Sequence, residues 1–257
     1  MLWLTASTNR CDFLPQAQAP DFDIIFVEQT AGLPFNKGAL FNAGYLFTAA
    51  EYTWMALHDV DQLPETTANS YAKPARPMHM IARTTQFGNR AVFEDIAGGA
   101  TLMTHEMYNR TGGFSNCFWG WGAEDINMAE RVARVYGKFP RVDPAVGRYR
   151  ALEHKHLKRL DKTKQYRANE QQTLDAARDG LGTLAFSVVS KRKVRYARCT
   201  TTGYTVEVHN RCNLLNDTGL AWDYWQDKIA RVLFFGALLG LAANAWRVGA
   251  YFSQAKK

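Results

Sequence analysis

The chain has no C-x-x-C pair. Its four cysteines stand at 11, 117, 199 and 212, so a zinc ribbon is not its organising device. The opening "MLWLTA" shows neither the charged n-region nor the long apolar core of a signal peptide. Internal repeats and low-complexity tracts are absent. A long membrane-spanning run is also lacking. The most apolar stretch, "VLFFGALLGLAANAW" (232–246), is short for a span, carries Asn244 and is bracketed by Arg231 and Arg247. It reads equally as a membrane-associated or membrane-spanning tail, taken here as 229–252, or as a packed terminal helix. Acid is in deficit: 24 Asp and Glu face 31 Lys and Arg, a formal net charge of +7. Such an excess suits nucleic acid, an anionic membrane surface or a phosphate-bearing ligand. The densest basic run, "KRKVRYAR" (191–198), lies in a β-branched neighbourhood and reads as a solvated face, which argues against nucleic acid. What remains is a body of 257 residues, 47% hydrophobic and 21% charged. That is one large globular domain with a real core.

Two short apolar runs, "FDIIFV" (22–27) and "TWMALHDVD" (53–61), suit strands buried on both faces. Between them "FNKGALFNAGYLFTAAEY" places Leu40, Gly44 and Phe47 at helical spacing. Strand, helix, strand reads as a βαβ unit, so an α/β fold with a mostly parallel central sheet is expected. "EDINMAERVARVYG" (124–137) is a helix with Ile126, Ala129, Val132, Ala133 and Tyr136 on one side, ended by Gly137. "LDKTKQYRANEQQTLDAARDG" is a surface helix or a loop. "TLAFSVVSKRKVRY" and "GYTVEVHN" read as antiparallel strands. Cys199 and Cys212 flank this second run, either as a disulfide closing a hairpin or as two buried thiols. The expected division is a domain over 1–215 and a C-terminal segment, with an apolar helix, over 216–257.

Two constellations carry chemistry. In "LHDVDQLP" (57–64) an apolar strand ends in two acids one residue apart, and alternation sends Asp59 and Asp61 to the same side. In open α/β sheets ligands bind beyond such strand ends. In "EHKH" (153–156), His154 and His156 share a face if the segment is extended. Asp plus two His with open positions suits a catalytic divalent ion such as manganese. An ion of that kind neutralises the leaving phosphate of a nucleotide diphosphate.

Five segments together resemble the β4-galactosyltransferase family, glycosyltransferase family 7: "FNKGALFNAG" (35–44), "HDVDQLP", "AGGATLMT" (97–104), "FWGWGAED" (118–125) and "RYRALEHKH" (148–156). Their order and spacing match over about residues 1–212. The His-x-His ending looks most like the xylosylprotein galactosyltransferase branch. The resemblance implies a nucleotide-sugar-binding GT-A-like fold and an inverting, Mn2+-dependent transfer of galactose or N-acetylgalactosamine from a UDP-sugar to a glycan or glycoprotein acceptor, such as a xylose-type linker. It implies Asp61, His154 and His156 as metal ligands, with Asp59 near the ribose and metal. Asp125 becomes the general base and Glu124 the residue that orients the acceptor. Phe35, Asn36 and Lys37 lie along the uridine nucleotide, Ile96, Gly98 and Gly99 line the donor, and Trp121 offers a platform to a sugar face. Asp125 also falls at a helix N-terminus, where the macrodipole favours a negative charge.

Three positions depart from the family pattern: Lys37 for Arg, Ile96 for Tyr and Ile126 for a third acid. They support a rival reading, a degenerate protein that binds UDP-sugar or glycan without turnover. A non-haem iron oxygenase also uses two His and one carboxylate, but such enzymes sit on all-β barrels. The resemblance further implies a Golgi or secretory-lumen location. Asn109 and Asn216 stand in N-x-T sequons, which are acceptors in that compartment alone.

Overall fold

The structure, a computed structural model, describes residues 2–6, 22–66, 68–91, 96–120, 122–153, 179–196 and 199–210. Its frame is a seven-stranded sheet. The strands are β1 (Leu2–Ala6), β2 (Phe22–Gln29), β3 (Trp54–His58), β5 (Met78–His79), β8 (Ala100–Thr104), β10 (Phe186–Tyr196) and β11 (Cys199–Val208). They lie in the order β10-β11-β2-β1-β3-β8-β5. A four-stranded sheet, β4-β9-β6-β7, is made from β4 (Gln62–Pro64), β6 (Arg83–Thr84), β7 (Arg90–Ala91) and β9 (Arg148–Ala151).

The expected mostly parallel sheet is not what forms. Within the large sheet only β11 against β2 is parallel; every other pairing is antiparallel. The strand–helix–strand unit exists, through α1 (Lys37–Thr48). However, β1 inserts between β2 and β3 and runs antiparallel to both. An apolar run reports burial of both strand faces, and that is correct here: Trp54 and Ala56 enter one core while Met55 and Leu57 enter the other. It does not report the direction of the neighbouring strand.

The larger core joins Ile25, Val27, Leu57 and Met103 to Leu40 and Phe41 of α1 and Met128 and Val132 of α3 (Glu124–Tyr136). The smaller one joins Ile24, Trp54 and Leu102 to Met80, Ile81 and Tyr149. Helix α1 is buried from Lys37 through Gly44, almost all round. The buried face of α3 differs from expectation. Asn127, Met128, Ala129, Arg131 and Val132 are inside, while Ala133 is exposed and Ile126 and Tyr136 are half-buried. Arg131 rotates the face, because its guanidinium is paired and bonded inside: Nε donates to Asn127, Nη1 to the carbonyls of Gly113 and Asp179, and Nη2 lies 3.4 Å from the Asp179 carboxylate.

Strands β10 and β11 pair antiparallel, as expected. Lys191, Arg192 and Lys193 are exposed on them, and Arg192 reaches Glu28 at 3.1 Å. Cys117 is disulfide-bonded; Cys212, half of the expected hairpin pair, lies outside the described residues. So do residues 160–178 of the polar segment, the 215/216 division and the apolar stretch with its expected C-terminal helix. Among the described residues no helix is long and apolar enough to cross a membrane.

Candidate active site

The end of β3, the start of α1, the start of α3 and the turn before β8 meet at one point. Asn36 caps α1: its Oδ1 accepts from the Ala39 N–H, while its Nδ2 donates to the Asn116 carbonyl. The Asn36 amide is thus fully engaged in building the corner, and Lys37 is the residue that projects from it. The Lys37 ammonium donates to Asp59 Oδ2 at 2.9 Å and to both oxygens of Asp125, at 2.8 and 3.1 Å, and lies 3.7 Å from Glu124. One cation therefore gathers three of the expected site acids. Burial alone would discharge an amine, but the charges of Asp125, Asp59 and Glu124 together outweigh it and raise the Lys37 pKa well above its ordinary value. Burial, followed by the Asp125 charge, pushes Glu124 up to about 7. Burial also raises Asp59 to about 6 against the opposing pull of Lys37.

The turn Ala97–Gly99 runs between the two aspartates. Gly99 N donates to Asp59 Oδ2 at 3.2 Å, Asp59 N to the Gly99 carbonyl at 2.7 Å, and Ala97 N to the Asp125 carbonyl at 3.0 Å. Gly98 must be glycine for lack of space: a Cβ there would come within 2.5 Å of Asp125 Oδ2. Ile96, just before, is half-buried against the smaller core.

The two tryptophans of "FWGWG" separate in role. Trp119 is 2% exposed and belongs to the larger core, so it pins the loop. Trp121 lies outside the described residues. Around it the backbone turns left-handed, at Gly120 (φ 83°), Gly122 (φ 111°) and Ala123 (φ 71°). Gly120 N donates to the carbonyl of the half-buried Phe35, and Gly122 N to Glu124 Oε2. The loop thereby delivers Glu124 and Asp125 as the first two residues of α3.

For a divalent ion the donor set fits in part. Asp59 Oδ1 is buried with no hydrogen-bond partner, an oxygen left for a cation or ligand. Asp61 is half-buried next to it. Strand β9 pairs with β4, and Leu152 N donates to the Asp61 carbonyl at 2.7 Å. The last described residues before the two histidines, Leu152 and Glu153, thus lie beside Asp61. His154 and His156 themselves lie outside the described residues, and among the described residues no three such ligands cluster.

Sequence reasoning missed the scaffold of this corner. Asn116 holds it together: its Nδ2 donates to the Gly180 carbonyl, its Oδ1 accepts from Asn42, and its N–H donates to Asp179. No local pattern marks an asparagine whose partners lie 63 to 80 residues away. Arg131, charged inside an apolar stripe, was the one visible sign.

Two family models match the chain. "N-terminal region of glycosyl transferase group 7" covers residues 8–74 and "N-terminal domain of galactosyltransferase" covers 78–155, so all five motif segments lie within or across them. The chain belongs to glycosyltransferase family 7. Among curated members, β-1,4-galactosyltransferase 5 of Danio rerio is 31% identical over 73% of this chain and 50% of its own length. β-1,4-galactosyltransferase 4 of Homo sapiens is 32% identical over 68% of this chain and 52% of its own length. The chain thus spans about half the length of these family 7 relatives. A solved structure, the catalytic domain of Drosophila β1,4-galactosyltransferase 7 in complex with xylobiose, has a TM-score of 0.61 at 19% identity, over 77% of this chain and 83% of that one. A mutant of the same Drosophila protein, in complex with manganese, UDP-Gal and xylobiose, has a TM-score of 0.63 at 19% identity. The fold is therefore that of a family 7 catalytic domain, and an all-β oxygenase barrel is ruled out.

Proposed function

We propose that the protein is an inverting β-1,4-galactosyltransferase that moves galactose from UDP-galactose to a sugar hydroxyl. The observation that carries this is the convergence of Asp59, Glu124 and Asp125 on Lys37, with the Gly98 backbone pressed against Asp125. Asp125, a quarter exposed, takes the acceptor hydroxyl proton as the new C–O bond forms at the anomeric carbon and the bond to the diphosphate breaks. Glu124 orients the acceptor, and Lys37 holds both aspartates in place. Asp61, with His154 and His156, would hold a manganese ion, whose charge offsets that of the leaving diphosphate. Phe35 and the 96–99 turn line the donor.

The finer assignments rest on narrower support. N-acetylgalactosamine as a second donor rests on Ile96, and a xylose-type acceptor on the two Drosophila structures described with xylobiose. A secretory-lumen location is supported by the Cys117 disulfide and the exposed Asn109 sequon.

The deciding experiment is Asp125→Asn with UDP-galactose, manganese and xyloside or glucosaminide acceptors. Donor binding stays near normal while turnover falls roughly 10²-fold or more, the scale of losing a general base. Unchanged turnover removes Asp125 from the mechanism. One observation favours a second reading, a UDP-sugar-binding protein without turnover: Lys37 occupies both oxygens of Asp125. A native chain that binds UDP but transfers to neither acceptor supports it.

A further inference from the structure

The turn that separates the two aspartates is held from behind by a buried histidine. His79, at the end of β5, is 1% exposed, and its Nε2 lies 2.6 Å from the Gly98 carbonyl. On the other side of the ring, Arg141 Nε donates to Nδ1 at 3.0 Å. The backbones are tied as well: His79 N donates to the Pro140 carbonyl and Val142 N to the His79 carbonyl. Burial, reinforced by the Arg141 charge, pushes the ring down to about 3, so it is neutral near pH 7. A neutral ring whose Nδ1 accepts from Arg141 carries its proton on Nε2 and donates it to Gly98. The Gly98 carbonyl, which only accepts, and Arg141, which only donates, require the same tautomer; Arg141 holds the ring from behind, the ring fixes the Gly98 carbonyl, and the turn carries the constraint to Asp125 and Asp59.

We propose that His79 and Arg141 form a positioning pair that aims Asp125 through the Gly98 turn. Neither residue reaches the carboxylate; both act through backbone. For catalysis the proposal rests on the reading of Asp125 as the base; for structure it stands without it. The reason is geometric. Gly98 abuts Asp125 so closely that no methyl group fits between them. A turn free to drift by a few tenths of an ångström changes where the carboxylate points, and small misplacements are costly at a reacting centre.

The test uses the full chain labelled with 13C in its aspartate carboxyls and 15N in its histidine rings, with the Asp125 signal assigned from Asp125→Asn. In the native protein the His79 ring shows the Nε2–H tautomer. In Arg141→Met the Nε2–H form stays, because the Gly98 carbonyl can only accept, but the Nδ1 shift reports the lost bond and the Asp125 carboxyl signal moves. In His79→Leu the Asp125 carboxyl signal moves, and kcat with UDP-galactose and manganese falls about 10-fold or more, as expected for misplacement of a reacting group. In His79→Gln, whose amide N–H reaches the Gly98 carbonyl, both return most of the way. An Nδ1–H ring in the native protein overturns the proposal. So does an Asp125 signal that stays put in a folded His79→Leu, or a loss that the Gln variant fails to restore. If His79→Leu does not fold, the Asp125 signal in Arg141→Met decides: a signal that stays put overturns the proposal. Failure of the base reading looks different: Asp125→Asn keeps its turnover, while the Asp125 signal of the otherwise native chain still responds to changes at His79 and Arg141.

Discussion

Glu124 shows how a single side chain in this site trades stability for chemistry. Burial first and the Asp125 charge second raise it to about 7, above the ordinary 4.5 it recovers when unfolded. Between those values the folded chain holds a proton that the unfolded chain has lost, so stability falls as pH rises from about 4.5 to 7. Glu124→Gln removes that titration. Its melting temperature should exceed that of the native chain at pH 8 and match it at pH 4; an offset equal at both pH values would contradict the assignment. Ile96 is the second residue that matters alone. Where the family pattern has Tyr, the proposed donor wall at Ile96 is smaller and apolar, which would leave room at the donor sugar. A pocket with spare room discriminates by only about 1–3 kcal/mol per group. UDP-galactose and UDP-N-acetylgalactosamine should therefore both be used, and Ile96→Tyr should suppress the second. If the native chain rejects the N-acetyl donor as strongly as the variant does, Ile96 is not the selector.

Helix α3 carries the expected base and its neighbour on its first turn, and one charged pair in its middle seats it. Arg131 and Asp179 are both buried, and the guanidinium also bonds Gly113 and Asn127. Truncating Arg131 leaves the Asp179 charge inside with its chief compensation gone. Arg131→Met should therefore cost about 3–5 kcal/mol, the usual penalty for breaking a buried pair from one side. Urea denaturation measures it, and a loss below about 1 kcal/mol would show that the pair contributes little. The exposed pair between Arg192 and Glu28 differs in kind: both side chains face water, and such pairs add about 0–1 kcal/mol. The strand periodicities were legible because alternation is local. The face of α3 was misread because apolar residues were counted as the buried set, whereas a buried arginine paired with Asp179 lies inside and Ala133 is exposed.

Across the whole molecule, the described acids and turn of the site lie before residue 154, their Asp179–Gly180 support before residue 181, and the last described strand of the large sheet ends at Val208. Removing residues 229–257 should therefore leave UDP and manganese binding intact. If that apolar stretch is membrane-associated, the same truncation moves the protein into the soluble fraction; calorimetry and fractionation read the two outcomes separately. Loss of folding on truncation would make the stretch part of the core instead. Chelation gives the complementary test of the ligand set. Turnover should vanish in excess EDTA and return with manganese, while Asp61→Ala should not recover at the same manganese concentration. Recovery of that variant would remove Asp61 from the metal site.

The sequence by itself determined the family, the strands β2 and β3, the helices α1 and α3, and the acids that meet at the site. These depend on short-range periodicity and on motifs whose order is preserved along the chain. The tertiary structure alone decided the rest. It put β1 between β2 and β3, since strand direction is a property of the partner. It aimed Lys37 at Asp59 and Asp125, since a side chain's target is set by what folding brings within reach. It placed His79 and Arg141 behind Gly98 and Asn116 at the centre of the corner, because hydrogen bonds between residues dozens of positions apart leave no periodic trace in the chain.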